Sequence, residues 1–164
     1  MLTLDKVYHA AFVLKDVVRE TSLIPSPKIS RTNNVFLKTE NLQVTGSFKV
    51  RGAGYMISQL TEEEKARGVI ACSAGNHAQG VAYAAHTNNI PATIVMPKNA
   101  PIAKVSATEG YGAKVVLHGD CYDDAYKKAV EICESEGASF LHPYNDLEVI
   151  AGQGTIGFEI LKDL

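Results

Sequence analysis

Residues 69–80 read VIACSAGNHAQG. The four apolar residues Val69–Cys72 follow Gly68 and give way to three small ones, Ser73, Ala74 and Gly75. A short, β-branched apolar run bounded this way predicts a buried strand. From Asn76 the sequence NHAQGVAYAAH carries no Pro and several good helix formers, so a helix should follow. The stretch is therefore strand, tight turn, helix. In open α/β sheets, ligands bind beyond the carboxyl ends of the strands. Small residues there let the backbone approach a ligand, and the N–H groups opening the helix point at an anion such as a carboxylate or phosphate. Asn76 adds an amide donor beside them. A plain strand-to-helix turn capped by Ser73 or Asn76 fits the same residues.

Reading outward, the alternation repeats. ATIVM (92–96) is a strand, and Pro101 stands where the next helix should open. AKVVLHG is another strand, leading into CYDDAYKKAVEICESEG, where Tyr122, Ala125, Tyr126, Ala129, Ile132 and Cys133 form an apolar stripe. On the wet face Asp123 and Asp124 precede Lys127 and Lys128 at i,i+4, a favourable spacing for ion pairs. SFLH is a last strand, and a final helix runs from about Leu147 toward Leu161. On the N-terminal side, Leu4, Val7, Ala11, Leu14 and Val18 predict a helix ending before the Pro25–Pro27 loop, and VFLK from Val35 a short strand. TEEEKARG (61–68) reads as a capped helical turn closed by glycine. Strands alternating with helices imply an α/β fold: an open, twisted parallel sheet flanked by helices.

Composition narrows the function. The chain has 164 residues, a net charge of −2 and no basic stripe, which argues against nucleic acid and membrane surfaces as partners. Its apolar runs are too short to cross a bilayer. The start, MLTLDKVYHAAFVLKDVV, has no cleavage-site pattern, so secretion is not expected. Three cysteines without a C-x-x-C pair suit a reduced, cytoplasmic protein. The five histidines form no zinc motif, so no metal site is expected. Cys72, at a strand end, reads as a buried small side chain.

A second stretch bears on chemistry. Residues 45–53, TGSFKVRGA, open a helix whose apolar stripe is Val50, Ala53, Gly54, Ile57 and Leu60. Lys49 sits in its first turn, where the helix dipole disfavours a cation. Partial desolvation there would push its pKa down toward the free amine. Such an amine is a nucleophile that forms Schiff bases with carbonyl compounds. Phe48 beside it could pack on a flat ring. A solvent-facing lysine at a helix start is the plainer alternative. Arg51 reads as a salt-bridging helix residue in preference to a substrate clamp, and the glycines of GQGT (152–155) as permitting close helix packing in slight preference to forming another backbone cradle.

TGSFKVRGA together with SAGNHAQG resembles the signature of fold-type II pyridoxal-phosphate enzymes, specifically the threonine/serine dehydratases. MPKNAPIAKV (96–105) and HPYNDLEVIAGQGTIGFEIL (142–161) resemble the stretches that follow, in the same order. The resemblance runs from about Thr21 to Leu164. It implies pyridoxal 5'-phosphate as cofactor, held covalently by Lys49, which then moves protons at the substrate's α-carbon. It implies that Phe48 lines the cofactor ring and Asn76 bonds its 3-hydroxyl. It places the substrate carboxylate on the turn of Ser73, Ala74, Gly75, Asn76 and His77. The implied reaction is dehydration and deamination of L-threonine, and of L-serine, to a 2-oxo acid and ammonia.

The resemblance also implies a domain plan. Residues 41–145 match the family's small domain, and 1–40 and 146–164 match opening pieces of its large domain. The family's glycine-rich phosphate loop lies beyond these matches, so the chain reads as an N-terminal portion with little activity of its own. A homo-oligomer acting on a small amino acid is expected. Two other readings compete. Serine racemases resemble this sequence but carry serine at the position of Ala74, and a methyl group cannot exchange protons. The other reading is a catalytically inert binding module whose turn merely holds a small metabolite.

Overall fold

The computed structural model describes all 164 residues. Its centre is a four-stranded parallel sheet in the order β5-β4-β3-β6, with β3 Val69–Cys72, β4 Ala92–Met96, β5 Lys114–Leu117 and β6 Ser139–Phe140. Val69 pairs with Ala92 on one side and with Ser139 on the other. All four residues of β3 are buried because both faces of the sheet are covered. Val69 and Ala71 point into one apolar cluster with Ile94 and Met96. Ile70, Cys72 and Val95 point into the opposite one with Ala125 and Ala129. The period of two thus divides a uniformly apolar run between two cores.

Helices α2 (Lys49–Ser58), α4 (Asn76–Thr87) and α5 (Ile102–Gly110) lie toward the first cluster, and α6 (Tyr122–Glu136) covers the second. The stripe Val50, Ala53, Gly54, Ile57 and Leu60 is buried as its spacing predicts. The short α3 (Glu62–Arg67) carries the capping box expected of TEEE, and Gly68 closes it at φ +88°. That left-handed conformation favours glycine.

The flanks pack on α2. Helix α1 (Leu4–Leu14) and helix α7 (Leu147–Asp163) meet it through Ala10, Leu14, Tyr55 and Ala151, all buried. Helix α1 is shorter than its stripe predicted. Lys15 caps it, and the N–H groups of Val17 and Val18 both turn back to the Leu14 carbonyl. Two consecutive β-branched residues favour leaving the helix there. An antiparallel hairpin of β1 (Leu23–Pro25) and β2 (Phe36–Lys38) follows. Only β2 was legible in the sequence, since Pro25 argued for a loop. Two 3₁₀ turns, Glu40–Leu42 and Val44–Gly46, lead into α2.

The expected Asp–Lys pairs on α6 do not form. Lys128 pairs with Glu131 instead, and Asp124 accepts from the backbone N–H of Asp120. No helix is long and apolar enough to cross a membrane.

Candidate active site

Strands β3, β4 and β5 progress across the sheet in one direction, while β6 returns to the other side of β3. The carboxyl ends of β3 and β6 therefore lie side by side. The turn 73–75 leaves one, and the segment 141–145 leaves the other. Crevices of this kind are where open sheets bind ligands.

Lys49 reaches into this crevice. It is the first residue of α2 and half-buried, and its Nζ donates to the Pro143 carbonyl at 2.7 Å. The same Nζ lies 5.1 Å from the centre of the Phe48 ring. Burial lowers its pKa from the ordinary lysine value, toward the free amine. The solvent-facing alternative is not what the fold builds.

Gly80 sets the distance between the two motifs. A Cβ there would lie 2.9 Å from the Lys49 carbonyl carbon and 3.0 Å from the Val50 nitrogen. Helix α4 thus packs backbone-to-backbone against the turn that presents Lys49, and only glycine permits it.

The turn itself is open. Ser73, Ala74 and Gly75 are half-buried and Asn76 is exposed. Ser73 Oγ accepts from the Gly75 N–H at 3.2 Å, and no side chain caps α4. The capping roles that Ser73 or Asn76 could have played are not taken. The first-turn N–H groups of a helix have no intrahelical partner, so here they remain free to bind an anion. Asn76 Oδ1 accepts from Lys104 Nζ at 3.4 Å.

His77, the second residue of α4, faces inward and is 3% exposed. Its Nε2 lies 2.9 Å from the Leu141 carbonyl. A carbonyl only accepts, so the ring carries its proton on Nε2. Burial pushes its pKa down to about 4, and the nearby Lys49 and His142 act in the same direction. The ring is neutral and its Nδ1 is buried without a partner. His77 and Lys49 thus hold the 141–143 segment from two sides.

Behind Lys49 lies an arrangement that the sequence showed only in part. Arg51 is fully buried and held by Glu40 and Glu159, with Lys38 also on Glu159. The salt-bridging reading of Arg51 holds, but its partners were not foreseen. Glu159 was findable: it falls on the buried stripe of α7 with Gly152 and Thr155, where a lone carboxylate needs a cation. GQGT is a packing device, as expected. A Cβ on Gly152 would run into the Arg51 carbonyl and lie 2.9 Å from Gly52 Cα. Cys72 is buried, and burial raises its thiol to about 11, so it is no nucleophile.

A parallel sheet bears a desolvated lysine at its carboxyl edge, opposite an uncapped helix start. That arrangement is chemically able to take a carbonyl compound on the lysine and an anion on the helix. Residues 14–164 match the family described as pyridoxal-phosphate dependent enzyme, and the chain belongs to that family. Over its whole length it is 54% identical to an L-threonine ammonia-lyase of Thermotoga maritima, covering 41% of that protein. It superposes on a processed threonine deaminase isoform 2 from Solanum lycopersicum with a TM-score of 0.90 at 41% identity, covering 99% of this chain and 47% of that one. With a maize serine racemase the TM-score is 0.95 at 34% identity, covering 99% and 50%. The chain spans about half the length of the curated relatives it matches.

Proposed function

We propose that this chain is the lysine-bearing part of a pyridoxal-phosphate lyase that converts L-threonine, and L-serine with it, to a 2-oxo acid and ammonia. The observation that carries the reading is the position of Lys49: half-buried, with a lowered pKa, in the crevice beside the start of α4. The residues fit the aldehyde and ring end of the cofactor. Lys49 offers an amine biased toward the free base, Phe48 a ring beside it, and Asn76 an exposed amide. When bound, the cofactor supplies the electron sink that makes the substrate's α-carbon acidic.

The chain's own residues account for the rest. The free first-turn N–H groups of α4, with the small residues Ser73, Ala74 and Gly75 before them, receive the substrate carboxylate. Lys49 Nζ takes the α-proton. Neutral His77 holds the Leu141–Pro143 segment that walls the crevice and adds no second positive charge beside Lys49. Ala74 presents a methyl group where a hydroxyl would be needed to return a proton from the opposite face, which favours elimination over racemisation.

Residues 41–145 form the unit that carries the site, with 1–40 and 146–164 as flanks belonging to a second unit. In its support, α1 and α7 share an apolar cluster distinct from the two that cover the sheet, which meets the central unit through Tyr55 of α2. We further take the protein to be a cytoplasmic homo-oligomer. Its three free cysteines are compatible with that setting, as are the exposed Leu4, Tyr8 and Phe12 of α1.

The test is a 2-oxo acid assay with L-threonine, L-serine and D-serine, on this chain and on a version extended to the relatives' length. The extended protein should release the 2-oxo acid from both L-amino acids, and Lys49→Ala should abolish it. Interconversion of the serine enantiomers as fast as deamination would exclude the lyase reading.

A further inference from the structure

Arg51 lies two residues after Lys49, about 200° round the helix from it. Lys49 faces the crevice while Arg51 faces the packed interior between α2, α7 and the 19–40 segment. Its guanidinium makes six hydrogen bonds. Nε and Nη2 fork onto the two oxygens of Glu40 at 2.9 and 2.8 Å. Nη1 and Nη2 fork onto the two oxygens of Glu159 at 2.6 and 2.9 Å. Thr155 Oγ1 accepts from Nη1 at 3.1 Å, and the Arg19 carbonyl from Nη2 at 3.2 Å. The partners are themselves fixed: Thr21 donates to Glu40, and Lys38 pairs with Glu159.

We propose that Arg51 is a positioning residue for Lys49: its double fork sets the rotation of α2 and thereby aims the Lys49 amine into the crevice. The proposal rests on Lys49 being the lysine that takes the cofactor. The contacts of Gly80 with the Lys49 backbone and of Gly152 with the Arg51 backbone fix how near α4 and α7 approach α2. The buried stripe of α2 sets which face turns inward, but apolar packing is non-directional and does not by itself fix the fine rotation about the axis. A planar guanidinium bound on two edges by carboxylates from different elements does, because its fork geometry accepts only one orientation. A turn of about 20° would swing a side-chain tip by about 2 Å. Displacements of about 1 Å at a reacting group can cost about 100-fold in rate.

The test is labelling of the whole chain with pyridoxal phosphate, trapped by borohydride and read by peptide mapping across a pH series. In the trapped product the lysine nitrogen and the aldehyde carbon have joined with loss of water, and borohydride has supplied hydride to that carbon. Exposed Lys28 and Lys127 serve as internal references. Of the ionisable groups here, His77 on α4 lies near Lys49 and His142 after β6 lies near His77, and both are left unaltered. In wild type, Lys49 should label faster than the references, with a midpoint below the ordinary lysine value. Arg51→Lys keeps the charge but loses the fork. It should slow Lys49 labelling at least tenfold and raise its midpoint, while Lys28 and Lys127 stay as they were. Glu159→Gln keeps the shape of one arm and should fall between. A cooperative thermal melt shows that each variant is folded, and if Arg51→Lys fails that check, Glu159→Gln and Glu40→Gln decide. A folded variant that labels Lys49 at the wild-type rate and midpoint overturns the proposal. Wild-type Lys49 labelling no faster than Lys28 would overturn the assignment of the lysine itself, a failure visible before any variant is compared.

Discussion

At the scale of single residues, His77 shows how burial writes a pH dependence into the fold. Its folded pKa of about 4 lies below the 6.5 of an unhindered imidazole. Between those values the unfolded chain binds a proton that the folded chain refuses, so stability rises with pH across that window. It is fully present above about pH 6.5 and is lost progressively down to about pH 4. The contribution is about 3 kcal/mol. Urea unfolding of wild type between pH 7 and pH 4 should show this loss, and His77→Gln should flatten it while keeping a donor for the Leu141 carbonyl. Glu40 acts lower on the scale. Burial works against its charge, but the Arg51 and Thr21 hydrogen bonds outweigh it and hold its pKa below the ordinary glutamate value. Its contribution is present above the unfolded carboxylate range and fades as pH falls through the depressed folded value. An unchanged slope in His77→Gln between pH 6.5 and pH 4 would refute the role given to the imidazole.

At the scale of elements, glycines decide where helices touch. Gly80 and Gly157 both sit inside helices, yet an added methyl group should act oppositely at the two. At Gly80 it would press on the Lys49 and Val50 backbone, which cannot step aside. Gly80→Ala should lower stability by about 1–3 kcal/mol. At Gly157 nothing lies within 4 Å, and α7 gains helix propensity, so Gly157→Ala should stabilise by about 0.4–1 kcal/mol. Asp146 caps α7 through the N–H groups of Glu148 and Val149, and Asp146→Ala should cost about 1 kcal/mol. Thermal melts of the three variants check the signs, and a stabilised Gly80→Ala would mean that α4 does not meet α2 as closely as described. These elements also show what a sequence can disclose. The strand-turn-helix of 69–87 and the helix opening at Lys49 were readable because their signals are local: periodicity, small residues and a misplaced cation. The pairing of Arg51 with Glu40 and Glu159 was not, because the partners lie 11 and 108 positions away in the chain, although the stripe of α7 marks Glu159 as a carboxylate that needs a cation. The β1 strand was hidden for another reason. Pro25 lies at the end of a short, exposed hairpin, where a missing N–H is tolerated.

At the scale of the whole molecule, the packing is uneven, and that unevenness predicts an order of opening. The sheet is sealed on both faces by the two central clusters, whereas α1 is held through a small cluster with α2 and α7. Much of α1 is exposed, with Leu4 at 64% and Phe12 at 77%. Segments with few buried apolar contacts open below the global unfolding free energy. Amides of α1 should therefore exchange with solvent at least tenfold faster than those of β3 and β4, a gap of about 1.4 kcal/mol or more. Helix α7 is held more firmly than α1: Val149, Ala151, Gly152 and Thr155 are buried, and Glu159 ties it to Arg51 and Lys38. Removing one member of a buried ion cluster leaves charge uncompensated, at a cost of about 3–5 kcal/mol. Glu159→Ala should thus move α7 into the fast-exchanging group with α1, while β3 and β4 remain the slowest amides. Hydrogen exchange read by mass spectrometry resolves these segments. If α1, α7, β3 and β4 exchange in wild type at one common rate with one common denaturant dependence, the flanks and the centre are a single cooperative unit, and the division at residues 41 and 145 has no energetic basis.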